Sequence, residues 1–138
     1  MFLKSLKVAV IAVLTALSLN AVAGANDPLF IDLTTDDGHR SSMAITFVKH
    51  HSANGHPLTI FLNDKGVILG VKAVSEKYAS QQKELTEIIS KCSFVIICPS
   101  CSKNAGYTEA DLIPGIKIGS HKLTGDALFK DGTKTMSW

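Results

Sequence analysis

Short apolar runs alternate along this chain with longer stretches in which apolar residues recur three or four apart. The runs are Leu29-Phe30-Ile31-Asp32-Leu33, Leu58-Thr59-Ile60-Phe61-Leu62 and Phe94-Val95-Ile96-Ile97. Their length and β-branched content fit buried strands, and the last is apolar throughout, as expected when helices cover both faces of a sheet. Between the first two, Met43 and Phe47, and Ala44 and Val48, lie four apart and predict one apolar helix face. The polar loop Thr34–Gly38 precedes this helix and can cap it, and Asn54-Gly55 stops it. From Glu76 to Cys92 the pattern is helical again, with Leu85, Ile88, Ile89 and Cys92 on one stripe. Gly66 and Gly70 interrupt the mostly apolar piece from Asn63 to Val74, which reads as a loop containing a short helix. Downstream, Thr108-Glu109-Ala110-Asp111 matches a capping box, and Gly115–Gly119 reads as a short fourth strand. Ser120 can cap a last helix running through Phe129, and Thr133–Trp138 fits an edge strand.

Strands separated by helical stretches of this length pair in parallel through crossovers. The expected fold class is therefore α/β, a three-layer α/β/α sandwich built on a mostly parallel sheet of about five strands. In such sheets ligands bind beyond the carboxyl ends of the strands. The Thr34–Gly38 loop and the residues after Ile97 both belong on that edge.

The N-terminus carries a separate signal. Lys4 and Lys7 precede the apolar core Val8–Leu17, and small residues close the segment at Ala21-Val22-Ala23-Gly24-Ala25. A basic start, a short apolar core and an A-x-A site describe a secretory signal peptide rather than a membrane span. Cleavage fits after Ala23 or after Ala25. The expected division is residues 1–25 as signal peptide and 26–138 as one domain, periplasmic and free of the membrane after cleavage. The full chain has 14 basic and 12 acidic side chains, so losing Lys4 and Lys7 leaves 12 of each sign. A neutral domain with 7% aromatic residues shows no electrostatic footprint for nucleic acid.

Three cysteines are too few for a disulfide-built fold, and their odd number leaves one thiol over. Cys92 sits on the apolar helical stripe and reads as a small buried hydrophobe. Cys98 and Cys101 directly follow the third strand as Cys98-Pro99-Ser100-Cys101. A helix start there would favour thiolate over thiol, and the spacing lets the sulfurs meet across one turn. Four readings stay open: a persulfide carrier, a dithiol exchanging disulfides, half of a metal site to which His39 adds a ligand, and a structural pair. A thioredoxin identity fits poorly, because about two-thirds of the chain precedes the motif, whereas in that fold it follows an early strand.

The chain resembles the DsrE/DsrF-like proteins, which include sulfur-relay subunits, over essentially all of residues 26–138. The resemblance rests on Ile31-Asp32-Leu33-Thr34-Thr35-Asp36-Asp37, on Gly55–Asn63, on Leu112–Lys117 and most specifically on Cys98-Pro99-Ser100-Cys101-Ser102-Lys103-Asn104-Ala105-Gly106. It implies a flavodoxin-like fold, trimers or hexamers, and a cysteine carrying sulfane sulfur as a persulfide. That role falls on Cys98, with Cys101 as the resolving thiol, and the implied partner is a sulfur donor or acceptor or a thiol-redox protein. Many relatives with this spacing place an arginine immediately before the glycine. Ala105 stands there in this chain, so Lys103 would be the cationic helper for an anionic sulfur species.

Asp36, Asp37, His39 and Arg40 cluster after the first strand. His39 could promote thiol ionisation and Arg40 could hold an anion, so Asp36, His39 and Arg40 join Lys103 as candidate substrate-binding residues. The plainer reading is a capped helix with solvated His39 and Arg40, and His50-His51, late in the helix, reads as solvated too. No Gly-rich phosphate loop, H-E-x-x-H or G-x-S-x-G motif occurs, and no cofactor fingerprint or metal-ligand set is expected. Two classes stand: an exported thiol protein acting through Cys98, and a non-catalytic oligomeric or binding module in which the cysteines are incidental.

Overall fold

The computed structural model describes residues 24–138. The expected signal peptide falls almost wholly on residues outside that range. Five strands form one parallel sheet: β1 (Leu29–Leu33), β2 (Leu58–Leu62), β3 (Phe94–Ile97), β4 (Lys117–Ile118) and β5 (Lys134–Ser137), in the spatial order β4-β3-β2-β1-β5. Every pairing is parallel, with Ile31 beside Ile60 and Met136, and Phe61 beside Ile96. Four helices connect them: α1 (Gly38–Ala53), α2 (Ala79–Ser90), α3 (Pro99–Asn104) and α4 (His121–Leu128). The three-layer α/β/α class expected from the alternation is the one observed. Among the described residues, no helix is long and apolar enough to cross a membrane.

Alternation along the strands divides the apolar residues between two faces. Ile31, Leu33, Leu58, Ile60, Leu62, Val95 and Ile97 point into one cluster with Ala44, Ile45 and Val48 of α1 and Leu85 and Ile88 of α2. This is the main core. Its polar seam is satisfied internally: Gln81 Nε2 donates to the Gly38 carbonyl at 3.0 Å, and Gln82 Nε2 donates to the Val71 carbonyl at 2.8 Å. On the other face lie Phe30, Asp32, Thr59, Phe61 and Ile96, where α4 is the covering helix among the described residues and buries no residue fully. Asp32 Oδ1 is shut away from water there without a hydrogen-bond partner. Leaving such an acceptor unpaired costs about 1–3 kcal/mol.

Two local expectations are corrected, the first of them in part. Met43 and Phe47 do not face the core; both are exposed, and Phe47 packs its ring against His51 and Trp138 instead. Ala44 and Val48 do face the core as expected, joined by Ser41 and Ile45. The second helix stops at Ser90, so Cys92 is not on its stripe. Cys92 stands exposed in the turn to β3 with φ 61°, a left-handed conformation that ends the helical period. The piece from Asn63 to Val74 contains short helix as expected: residues 64–70 form a 3₁₀ helix. It lies so close to β1 that a Cβ on Gly66 would come within 2.0 Å of the Leu33 carbonyl oxygen. Only glycine fits there.

Candidate functional site

The site is built at the carboxyl edge of the sheet by three chain segments. The first is the β3–α3 junction. Cys98 N donates to the Leu62 carbonyl at 2.9 Å, which continues the ladder by one residue, and then the backbone turns into α3. Pro99 at the first helical position fixes this turn, since its missing N–H would have no partner in the helix. The Cys98 side chain serves as the helix cap, accepting from Cys101 N at 3.3 Å, and its Sγ lies 3.4 Å from Ser100 Oγ.

The second segment follows β2. Asn63 caps the 3₁₀ helix by accepting from Asp64 N at 2.9 Å, and the same Oδ1 accepts from Cys101 Sγ at 3.1 Å. Asp64 has φ 46°, a left-handed conformation that costs a side-chain-bearing residue free energy and is tolerated where surrounding contacts enforce it. The third segment is the β1–α1 loop. Asp37 caps α1 through Arg40 N at 2.8 Å, and Tyr78 Oη donates to the Asp36 carbonyl at 2.9 Å, pinning the loop.

These segments enclose an open groove of about 490 Å³ lined by Asp36, Asp64, Lys65, Cys101, Asn104 and Tyr107 among others. Cys101 faces it, half-buried. Cys98 sits behind, 8% exposed. A second groove, of about 530 Å³, reaches the same junction from the α4 side through Pro99, Ser100, Gly119 and His121.

The two thiols are electrostatically unlike. Burial pushes the Cys98 thiol up, but hydrogen bonds from the Cys101 and Ser100 side chains and from both their backbone N–H groups outweigh it, and the net displacement is downward from 9.0. Burial and the neighbouring Cys98 raise Cys101, against a lowering contact from the Asp64 backbone N–H. With six residues α3 contributes little dipole, so local donors do the work at Cys98. Cys98 is thus the thiol held closer to its anionic form, and Cys101, whose S–H donates to Asn63 Oδ1, the one held closer to its protonated form.

Of the residues singled out in the sequence, Cys98, Cys101 and Asp36 come together. His39, Arg40 and Lys103 are exposed and do not line the groove at Cys101. Among the described residues, no three or more His, Cys, Asp or Glu side chains gather as metal ligands. Sequence reasoning missed Asn63, Asp64, Lys65 and Ser100. For Asn63 and Asp64 a signal existed: they directly follow an apolar strand, at the same edge as the cysteines.

Comparison with known proteins assigns the family. The profile of the DsrE/DsrF-like family matches residues 29–131, which covers all three segments of the site. An uncharacterised protein of Methanopyrus kandleri is 32% identical over 82 residues, 59% of this chain and 68% of the relative. Among solved structures, a protein of unknown function from Methanobacterium thermoautotrophicum superposes with a TM-score of 0.67 at 14% identity, over 82% of this chain and all of the other. The YchN protein of E. coli gives 0.62 at 18% identity, over 82% and 99% of the two chains. These two likenesses concern the fold. The chain belongs to the DsrE/DsrF-like family. Membership suggests a sulfur-relay role.

Proposed function

We propose that this chain is an exported thiol protein of sulfur metabolism that carries sulfane sulfur as a persulfide on Cys98, with Cys101 as resolving thiol. The observation that carries this reading is the asymmetry of the pair: Cys98 Sγ accepts from Cys101 N and lies beside Ser100 Oγ, while Cys101 opens to a groove. In loading, the Cys98 thiolate attacks the sulfane sulfur of a donor persulfide or polysulfide. An S–S bond forms at Cys98 as the donor's S–S bond breaks, and the donor leaves as a thiolate. In release to a thiol acceptor, the acceptor thiolate takes the outer sulfur and Cys98 leaves as thiolate. Without an acceptor, Cys101, deprotonated by solvent base, attacks Cys98 Sγ and expels hydrosulfide. The pair is then oxidised to a disulfide and the sulfane sulfur reduced to sulfide.

Export to the periplasm rests on the N-terminal pattern of residues 1–25. The proposed partners are a sulfur donor or acceptor and further copies of the chain, as trimers or hexamers. The Cys98–Cys101 geometry also favours a second reading, disulfide exchange without sulfur carriage.

Intact mass after incubation with polysulfide separates the two. A gain of one sulfur atom that is reversed by reductant and lost in Cys98→Ser supports carriage. A loss of two hydrogens in the unaltered chain, with no sulfur gained in Cys101→Ser, where the resolving attack cannot occur, supports exchange. Thiol ionisation gives a further check. Because Cys98 is displaced below 9.0 and Cys101 above it, the alkylation rate of Cys98 should fall off at lower pH than that of Cys101 as acid is added. Coincident profiles would remove the asymmetry on which the roles rest.

A further inference from the structure

The α4-covered face of the sheet holds a feature the cysteine chemistry does not use. An open groove of about 530 Å³ runs between α4 and the β1–β5 edge, lined by Phe30, Asp32, Phe61, Thr124, Leu128 and Thr135 among others. The Asp32 carboxylate is on its wall, with Oδ1 out of water and unpartnered. The three ion pairs among the described residues are Lys49–Glu87, Lys122–Asp126 and Lys134–Asp27, so none neutralises Asp32. The rings of Phe30 and Phe61 lie 6.3 Å apart, tilted by 40°, beside this carboxylate.

We propose that this groove is a binding site for a small organic cation, an ammonium or guanidinium group on a short apolar stem. A carboxylate next to two aromatic rings is the combination such cations select. The acid supplies charge, the ring faces attract a cation, and the apolar walls take the stem. An anion would meet Asp32 without a protein cation paired to it, and a purely apolar ligand would leave that carboxylate further desolvated and unpaired. The groove shares no lining residue with the one at Cys101, and it adjoins the groove at Pro99 and Ser100 through Phe61, Thr124 and Leu128.

The test is an NMR titration of the folded chain, lacking residues 1–25, with n-butylguanidinium and n-butylammonium, and with n-pentanol as neutral control. Saturable shifts should centre on the amides of Phe30, Asp32, Thr124 and Ser137, with no comparable response to n-pentanol. Asp32→Asn should weaken binding about tenfold, the loss of a charge-assisted contact. Phe61→Leu should weaken it about threefold, as for one cation–π partner. Should Asp32→Asn fold poorly, Thr124→Lys leaves Asp32 in place and should abolish binding by supplying an internal cation. Equal affinity for n-pentanol, unchanged affinity in both Asp32→Asn and Thr124→Lys, or shifts centred elsewhere would overturn the proposal. So would sedimentation data showing that Phe61→Leu or Thr124→Lys breaks an oligomer, since a second copy would then occupy the groove. Persulfide formation on Cys98 is read separately by mass, so either result leaves the other standing.

Discussion

The two faces of this sheet are made by adjacent residues of the same strands, yet they are built to different standards. Towards α1 and α2, Ile31, Leu33, Ile60, Leu62 and Ile97 are at most 1% exposed and are capped by two helices that also pack on each other. Towards α4, Phe61 is half-exposed, Asp32 leaves an acceptor unpaired, and Phe129 at the helix end is 82% exposed. The larger apolar cluster lies on the first face. The second buries Phe30 and Ile96 too, yet keeps a groove and an unpaired acceptor beneath a short helix. The cysteines stand at the edge where the faces meet, with Cys101 opening beside the 3₁₀ segment and Pro99–Ser100 turned towards α4.

Leu62 and Phe61 give the sharpest comparison, being neighbours on opposite faces. Leu62→Ala should cost about 2–5 kcal/mol, the range for truncating a buried aliphatic side chain whose surroundings collapse only in part. Phe61→Ala removes more atoms but leaves an opening that water already reaches, so its cost should be well under half that of Leu62→Ala. Urea denaturation of both variants measures this. Equal losses would mean that the α4 face is a second core, and the contrast would fail.

The 3₁₀ segment is the next place to press. Gly66→Ala drives a methyl group into the Leu33 carbonyl, a backbone atom that cannot rotate away. We expect about 3 kcal/mol of destabilisation, at the upper end for overpacking. The residues it displaces, Asn63 and Asp64, contact Cys101, so the alkylation rate of Cys101 should change in the same variant. Full stability with unaltered Cys101 reactivity would show that residues 64–70 do not support the site.

How much of this was legible in the chain follows from where local signals and tertiary contacts agree. The three central strands and the cysteine turn were readable because β-branched runs, Pro99 and the caps at Asp37 and Ser120 act within a few residues. Cys92 was misplaced because the helical period runs on by accident past Ser90, where a left-handed residue breaks the backbone. On α1 the spacing of Ala44 and Val48 pointed to the core face, but Met43 and Phe47 share that spacing, and only the sheet decides that they stay outside. The groove was legible only in part. Asp36 and Cys101 belong to the edge that the strand ends mark, but Asp64 and Tyr107 join them through a glycine–carbonyl approach that leaves no periodic trace.

The smallest effects test the contrast most finely, because they compare two equivalent caps. Asp37 accepts from Arg40 N at 2.8 Å and Ser120 from Leu123 N at 3.0 Å, so each holds the first turn of its helix in the same way. Replacing either by alanine should cost about 1 kcal/mol. Where that cost appears should differ. Helix α1 is sixteen residues long and tied to the core through Ala44, Ile45 and Val48, so its cap is lost only when the whole domain unfolds. Asp37→Ala should therefore lower the urea midpoint. Helix α4 has eight residues and buries none of them fully, and a helix that short is marginal without packing. It can open while the sheet stays folded. Ser120→Ala should thus scarcely move the urea midpoint but should raise amide hydrogen exchange across the α4 residues Thr124–Leu128 about fivefold, which is what about 1 kcal/mol on a local opening yields. If Ser120→Ala lowers global stability as much as Asp37→Ala does, α4 unfolds only with the core, and the second face is as firmly held as the first.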